Sequence, residues 1–309
     1  MQLRQIVKAA IERLTAEHVP SPRMNAELLI MFTLDCDRAY LYAHPERELT
    51  ADESARYDDA LARRATGVPA QYITGHQEFW GMDLIVSPAV LIPRPETEHV
   101  VEAVLELVSR ADSAQAQNQN QRQRAGASST VAQGGSAPHN LRVVDVGTGS
   151  GAIALALAKE FPASEIHATD ISEEALEVAR ANAARHELSL RIRFHHADLL
   201  SGLPLEKFDF VVSNPPYVGE SEEDSVQLEV RKFEPRNAVF AGSTGLEVIE
   251  RLIPQAHAAL APGGWLVFEI SGTIADRART LLSGWSEVAI KNDLQGIPRV
   301  AMARKTASD

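Results

Sequence analysis

Val143-Val144-Asp145-Val146-Gly147-Thr148-Gly149-Ser150-Gly151-Ala152 joins an apolar run to a loop with glycine at every second position, and the loop leads into an apolar stretch of helical period. Glycines let a backbone turn sharply and let another group approach it closely. The unit reads as strand, glycine loop, helix. Working outward, the same alternation continues to the end of the chain. Strands are predicted near 142–146, 165–169, 191–195, 208–213, 264–270, 286–291 and 298–303, and helices near 151–160, 172–186, 244–261 and 274–283. Strands separated by helices imply an α/β fold with a mainly parallel, seven-stranded sheet and right-handed crossovers. Only Asn292 to Ile297 separate the last two strands, too few for a crossover, so that pair is predicted antiparallel. A ligand of such a sheet belongs at the carboxyl ends of the strands, beside the glycine loop.

Upstream the pattern is different. Leu3, Ile6, Val7, Ala10, Ile11 and Leu14 fall at helical spacing, Ser21-Pro22 opens a second helix with Ala26, Leu29, Ile30 and Thr33 on one side, and 52–66 reads as a third. Residues 1–75 are therefore expected to form a small helical domain. Its 11 acidic and 9 basic residues make it a packing or partner-docking module, not a grip for nucleic acid. Phe79 to Val86 and Val90 to Ile92 are two short apolar runs around Ser87-Pro88, expected as a hairpin or strand pair within a connector, 76–98. Pro93 to Glu98 stops it and caps a helix through about Ser109, opening the third segment, 99–309. Within that segment, 111–140 carry alternating glutamines and then Gly, Ser and Ala with no apolar period, and are expected to be a flexible insertion.

Composition narrows the classes. The chain has 309 residues, 45% hydrophobic and 23% charged, with mean hydropathy −0.15. No apolar run approaches the roughly 18 residues of a membrane span. The amino terminus lacks the basic-then-apolar layout of a signal peptide. A single cysteine, Cys36, excludes an internal disulfide framework, and the 10 histidines show no metal-ligand spacing. A cytoplasmic protein is expected. The net charge of −12 speaks against a polyanionic partner.

The glycine loop alone leaves two ligands open. As G-x-G-x-x-A with Asp170 some way on, it fits a dinucleotide fingerprint. As D-x-G-x-G-x-G led by Asp145, it resembles the class I S-adenosylmethionine-dependent methyltransferases. In either case Asp170, ending Ala168-Thr169-Asp170, can accept hydrogen bonds from ribose hydroxyls. The chemical end of the pocket separates them. The strand Phe208 to Ser213 delivers Asn214-Pro215-Pro216-Tyr217 to the same sheet edge. Adjacent prolines stiffen the turn and remove two N–H groups, so it presents mainly acceptors. The Asn214 side-chain oxygen and the Pro215 carbonyl suit the two hydrogens of a planar NH2 group, with Tyr217 packed on its plane. Amide nitrogen is a poor nucleophile, so alignment and electrostatics must supply the acceleration. A dehydrogenase has no use for this set.

Asn-Pro-Pro-Tyr after the fourth strand resembles the methyltransferases of exocyclic and amide nitrogens. The wider set is more specific: Glu78-Phe79-Trp80-Gly81, Leu91 to Glu98, Asp145 to Gly151, Asn214 to Tyr217, Phe233-Glu234-Pro235, and Asp293-Leu294-Gln295-Gly296 with Arg299. Over nearly its whole length the chain resembles the bacterial release factor glutamine methyltransferases. That resemblance implies a substrate, the glutamine of the Gly-Gly-Gln tip of class 1 peptide chain release factors, methylated on its side-chain N5. It also implies S-adenosyl-L-methionine at Gly147, Thr148, Gly149, Ser150, Gly151, Asp170, Asp198 and Leu199, next to Asn214. Phe79, Arg94 and Glu96 are expected to shape the acceptor entrance, Arg94 either orienting Glu96 or lining the acceptor pocket, with Pro216 and Tyr217 around the amide. The amino-terminal helices would dock the release factor.

Three alternatives stand beside it. A methyltransferase of adenine or guanine in nucleic acid shares the motif chemistry but must recruit a polyanion and extrude a base. Here Glu220, Glu222, Glu223 and Asp224 follow the motif, an acidic rim that repels phosphate. A glutamine methyltransferase of a ribosomal protein shares most of the motifs. A non-catalytic module with a structural cofactor is the third.

Overall fold

The computed structural model describes residues 1–124, 140–203 and 207–307. Five helices open the chain: α1 (Leu3–Ala16), α2 (Pro22–Leu34), α3 (Arg38–Ala43), α4 (Ala51–Ala65) and α5 (Ala70–Thr74). The predicted apolar stripe of α2 is what it buries: Ala26, Leu29 and Ile30 are sealed from solvent, packed with Leu3, Leu14 and Tyr57. Thr50 and Glu53 cap α4 reciprocally, each side chain bonded to the other's backbone N–H. The short α3 and α5 are absent from the sequence reading, since one turn of helix has no period to detect.

The hairpin is β1 (His76–Phe79) and β2 (Met82–Ile85), and its turn falls at Trp80-Gly81 instead of Ser87-Pro88. Both turn residues have positive φ, 55° and 65°, the conformation that a two-residue hairpin loop requires. Glu78 accepts from the Gly81 N–H at 2.6 Å and Glu98 from the Trp80 N–H at 2.8 Å, so Glu-Phe-Trp-Gly is a structural corner. Val90 to Ile92, expected as a strand, form none. Pro93 and Pro95 interrupt any ladder; the Val90 N–H closes a turn on the Ser87 carbonyl, and side chains hold the strap that follows.

Helix α6 runs Glu98–Arg124, well past Ser109. Residues 111–124, expected as part of a flexible insertion, continue this helix. Ala, Gln and Arg are good helix formers, and the first breaker is Gly126, so propensity carries the helix beyond its apolar face. The rest of that expected insertion up to residue 139 lies outside the described residues.

The sheet comprises β3 (Arg142–Val146), β4 (Glu165–Asp170), β5 (Ile192–His196), β6 (Phe208–Ser213), β7 (Leu260–Glu269), β8 (Ser286–Asn292) and β9 (Pro298–Arg304), seven strands in the order β5-β4-β3-β6-β7-β9-β8. The first five run parallel; β9 is antiparallel to β8, as predicted, and also to β7. Alternate residues of each strand serve opposite faces. Val143, Phe210, Val212 and Val267 meet α6 and α7 (Ala152–Glu160). Val144, Val211, Leu266 and Phe268 meet the elements that follow. In chain order those helices are α8 (Glu173–Arg185), flanking β4 and β5, short α9 (Leu228–Phe233) and α10 (Arg236–Val239), then α11 (Glu247–Ala259) and α12 (Ala275–Leu281), which cover the second face. Among the described residues no helix is long and apolar enough to cross a membrane.

Candidate active site

The order places β3 beside both β4 and β6, where connections leave in opposite directions, and a ligand crevice opens at such a reversal. A cavity of about 300 Å³ lies there. Gly147 to Ser150, Asp170, Asp198, Leu199, Asn214 and Pro216 line it, so the glycine loop, both carboxylates and the motif asparagine share one space.

The glycines do separate jobs. Gly147 and Gly149 have φ of 70° and 55°, and a Cβ built on either meets nothing within 4 Å, leaving open room over the loop. Gly151, at φ 85°, starts α7, and a Cβ there would sit 2.8 Å from Leu155 Cδ1 and 3.2 Å from the Ala179 Cβ. It is a packing glycine between α7 and α8. Because Gly151 has no side chain to cap its helix, Asp145 does so from the strand. Its Oδ2 accepts from the Ala154 N–H at 3.1 Å and the Thr148 hydroxyl at 2.6 Å. Its Oδ1, also buried, has no hydrogen-bond partner among the described residues. Burial pushes the carboxyl up to about 7.

Asp170 ends β4 with one oxygen accepting from the Gly149 N–H and the other from the Ser172 N–H, both at 2.9 Å. Each oxygen keeps a lone pair for a further donor. Asp198 is paired with Arg251, which also lines the cavity. Leu199 stands at φ 54°, a left-handed conformation that a branched side chain rarely takes. Open glycines and, at Asp170, a carboxylate with spare lone pairs line the cavity and fit a nucleoside carrying an amino-acid end. These residues are able to hold S-adenosylmethionine.

Asn214 closes the chemical end. Its Nδ2 donates to Thr97 Oγ1 at 3.0 Å, and Thr97 donates to Glu269 Oε2 at 2.6 Å. The Tyr217 hydroxyl donates to Glu269 Oε1 at 3.0 Å. Glu269 is 1% exposed, and burial raises its pKa against the opposing pull of those two hydroxyls. Tyr217 is thus held at Glu269 and is not among the residues lining the cavity, at odds with the expected stacking on the substrate amide. Pro215 is buried and, unlike Asn214 and Pro216, is not among the residues lining the cavity.

The three expected entrance residues are elsewhere. Phe79 is 1% exposed, inside the core between the hairpin and α7. Its β1 position turns it inward because the hairpin packs on the domain. Arg94 neither orients Glu96 nor lines the main cavity. It is paired with the buried Glu234 carboxylate at 2.5 Å. Glu96 faces Arg299 at 3.9 Å. Glu234 also accepts from the Ile92 N–H at 3.1 Å, and the Tyr72 hydroxyl donates to the Val90 carbonyl at 2.6 Å. The motif residues Arg94 and Glu234 therefore clasp the strap, whose Val90, Leu91 and Pro93 wall the cavity.

Sequence reading missed Thr97, Glu269, Arg251 and Asn182. An acid ending the apolar run Trp265-Leu266-Val267-Phe268 was a signal for Glu269. Asn182 sits on the alanine face of α8, fully buried. The acidic rim is weaker than its sequence suggests, because Arg236 pairs with Glu223 at 2.8 Å and Arg231 with Asp224 at 3.0 Å.

Sheet order and cavity together define a class I methyltransferase fold. Comparison with known proteins agrees. Residues 5–75 match the PrmC N-terminal domain and 127–232 the methyltransferase small domain. The chain is 52% identical to the release factor glutamine methyltransferase of Koribacter versatilis (strain Ellin345), covering 100% of both chains. It is 36% identical to that of Coxiella burnetii (strain RSA 493 / Nine Mile phase I), covering 99% of each. Among solved structures, the Thermus thermophilus 16S rRNA N2 G1207 methyltransferase (RsmC), in complex with AdoMet and guanosine, superposes with a TM-score of 0.51 at 17% identity, over 74% of this chain and 49% of that one. The chain belongs to the release factor glutamine methyltransferase family.

Proposed function

We propose that this protein transfers a methyl group from S-adenosylmethionine to the side-chain N5 of the glutamine in the Gly-Gly-Gln motif of class 1 peptide chain release factors. The single observation that carries the reading is the placement of Asn214 in one cavity with the glycine loop, its Nδ2 committed to Thr97. Its oxygen is then left for a carboxamide NH2.

When bound, S-adenosylmethionine supplies an electrophilic sulfonium methyl. Gly147 and Gly149 give its amino-acid end room, Asp145 Oδ1 offers an acceptor near the loop, and Asp170 takes the ribose hydroxyls. Asp198 and Leu199 stand on the adenine side. At the acceptor end, Asn214 Oδ1 and the Pro215 carbonyl each accept one N–H of the substrate amide. Two acceptors fix the plane of the NH2 and hold electron density on nitrogen, so most of the acceleration comes from positioning and a preorganised electrostatic environment. Tyr217 acts from behind, through Glu269.

The helices of residues 1–75 would dock the release factor, and Met24, Phe32 and Tyr42 there are exposed side chains that a protein partner can cover. A cytoplasmic site of action follows from such a substrate. Excess negative charge, −12, weighs against a nucleic-acid substrate. The test is incubation of the protein and cofactor separately with a release factor, a ribosomal protein and DNA, followed by peptide mass spectrometry. A methyl on the Gly-Gly-Gln glutamine is expected. A methyl on DNA or on the ribosomal protein, with none on the release factor, would overturn the assignment.

A further inference from the structure

Asn214 has two chemically opposite ends of nearly equal shape, and only its hydrogen-bond network decides which one meets the substrate. A carboxamide NH2 needs the oxygen. With nitrogen forward, donors would face donors.

The network is short and directional. Glu269 ends β7, one residue beyond Phe268, which pairs in register with Ser213 at the end of β6. Its carboxylate is therefore delivered beside Asn214 by the sheet itself. Thr97, 4% exposed, stands between them. A hydroxyl has one proton, and Thr97 gives it to Glu269 Oε2 at 2.6 Å. Its oxygen can then only accept, so the atom 3.0 Å away on Asn214 must be the nitrogen. The other carboxylate oxygen is occupied by the Tyr217 hydroxyl at 3.0 Å, which also comes as a donor. With both hydroxyls as donors, each oxygen of the Glu269 carboxyl group accepts one hydrogen bond. The neighbouring charged groups are Arg299, which faces Glu96 at 3.9 Å and bonds Asp293 at 2.9 Å.

We propose that Glu269 is a positioning residue for methyl transfer: acting through the Thr97 hydroxyl, it fixes the Asn214 amide with its oxygen toward the acceptor. The proposal rests on the reading of Asn214 as the holder of a substrate NH2. It assigns Glu269 no contact with substrate or cofactor. A glutamine at 269 that keeps the Tyr217 bond on its oxygen would donate to Thr97, reverse the chain and turn Asn214 around. A valine at 97 would leave the amide free to turn.

Steady-state kinetics at saturating cofactor, with calorimetric cofactor binding and a melting curve on each variant, test this. E269Q and T97V are each expected to lower kcat by on the order of 10²-fold, the scale for losing one preorganised polar contact. The cofactor Kd of E269Q should stay within about threefold of wild type, since Glu269 is not among the residues lining the cavity, whereas Thr97 is. T97S, which keeps the hydroxyl, should recover at least tenfold over T97V. E269Q should cost little further in the T97V background, because Glu269 acts only through residue 97. A kcat for E269Q within threefold of wild type, or E269Q and T97V losses that multiply, would overturn the proposal. Neutron diffraction from deuterated wild-type crystals reads the orientation without any turnover. Deuterons on the Asn214 atom facing Thr97 support the relay, and an oxygen there overturns it. If the wild type fails to methylate a release factor, the functional reading fails, and the neutron result still decides the relay.

Discussion

Replacing Asn182 by alanine should destabilise the protein and loosen its cofactor together, although Asn182 is not expected to touch the cofactor. The side chain is fully buried and makes three hydrogen bonds to backbone. Its Oδ1 accepts from the Ile85 N–H at 2.6 Å, and Nδ2 donates to the Ile85 carbonyl at 3.0 Å and the Ser150 carbonyl at 2.9 Å. One amide therefore pairs with β2 as a neighbouring strand would, and at the same time pins the glycine loop. Alanine deletes all three partners and leaves the backbone groups buried. At about 1 kcal/mol net per bond the loss is about 3 kcal/mol. In a protein of this size that corresponds to roughly 6–12 °C in melting temperature, at about 2–4 °C per kcal/mol. Apolar transfer alone predicts the opposite sign, since the change removes only polar atoms from the interior. Aspartate should be worse than alanine, because it turns a carboxylate oxygen on two carbonyls. The assay is a melting curve with and without cofactor, plus calorimetric cofactor binding. A melting temperature within 2 °C of wild type with unchanged affinity would refute the reasoning.

Three further outcomes are expected. Gly149→Ala should weaken cofactor binding at least tenfold while costing about 1 kcal/mol for the left-handed backbone, whereas Gly151→Ala should cost about 2–3 kcal/mol through overpacking of Leu155 and Ala179; calorimetry and urea unfolding separate them. Arg94→Ala strands the buried Glu234 carboxylate and should cost about 3 kcal/mol, part of which Glu234→Gln in the same chain restores, read from urea unfolding of single and double variants. Asp145 is raised by burial to about 7 from 3.8, so the folded protein retains a proton that the unfolded chain releases. Cofactor-free stability should therefore fall as pH rises from about 4 to 7, by at most about 4 kcal/mol, and flatten above. Asp170 and Glu269 shift in the same direction, while Glu247, lowered to about 2, contributes stability that is lost only below that window as pH falls. Asp145→Asn should remove most of the slope in urea unfolding across that range.

The alternation of strands and helices was legible because each strand of the parallel sheet is an apolar run bounded by turn residues, and β3 to β9 fall close to their predicted places. Even the antiparallel end followed from the short connection, five residues between β8 and β9. Asn214 and the glycine loop were legible for a similar reason, as local motifs at strand ends. What escaped depends on partners distant in sequence. Glu234 lies 140 residues from Arg94 and Glu269 lies 172 from Thr97, so the clasp and the relay exist only after folding. Phe79 misled because an aromatic beside a glycine turn reads equally as an entrance or as core. The strap misled because Val90 to Ile92 has strand composition but bonds to side chains. Gly147 and Gly151 look identical in the sequence, and only the neighbours Leu155 of α7 and Ala179 of α8 separate a glycine that leaves room from one that permits packing.

The central claim is a carboxamide held by acceptors at Asn214 and Pro215. A crystal structure with an unreactive cofactor analogue and a Gly-Gly-Gln peptide tests it most directly. The account predicts the glutamine nitrogen within hydrogen-bond reach of both Asn214 Oδ1 and the Pro215 carbonyl, in line with the sulfonium position. A glutamine bound away from the motif, or an Asn214 oxygen turned toward Thr97, would contradict it.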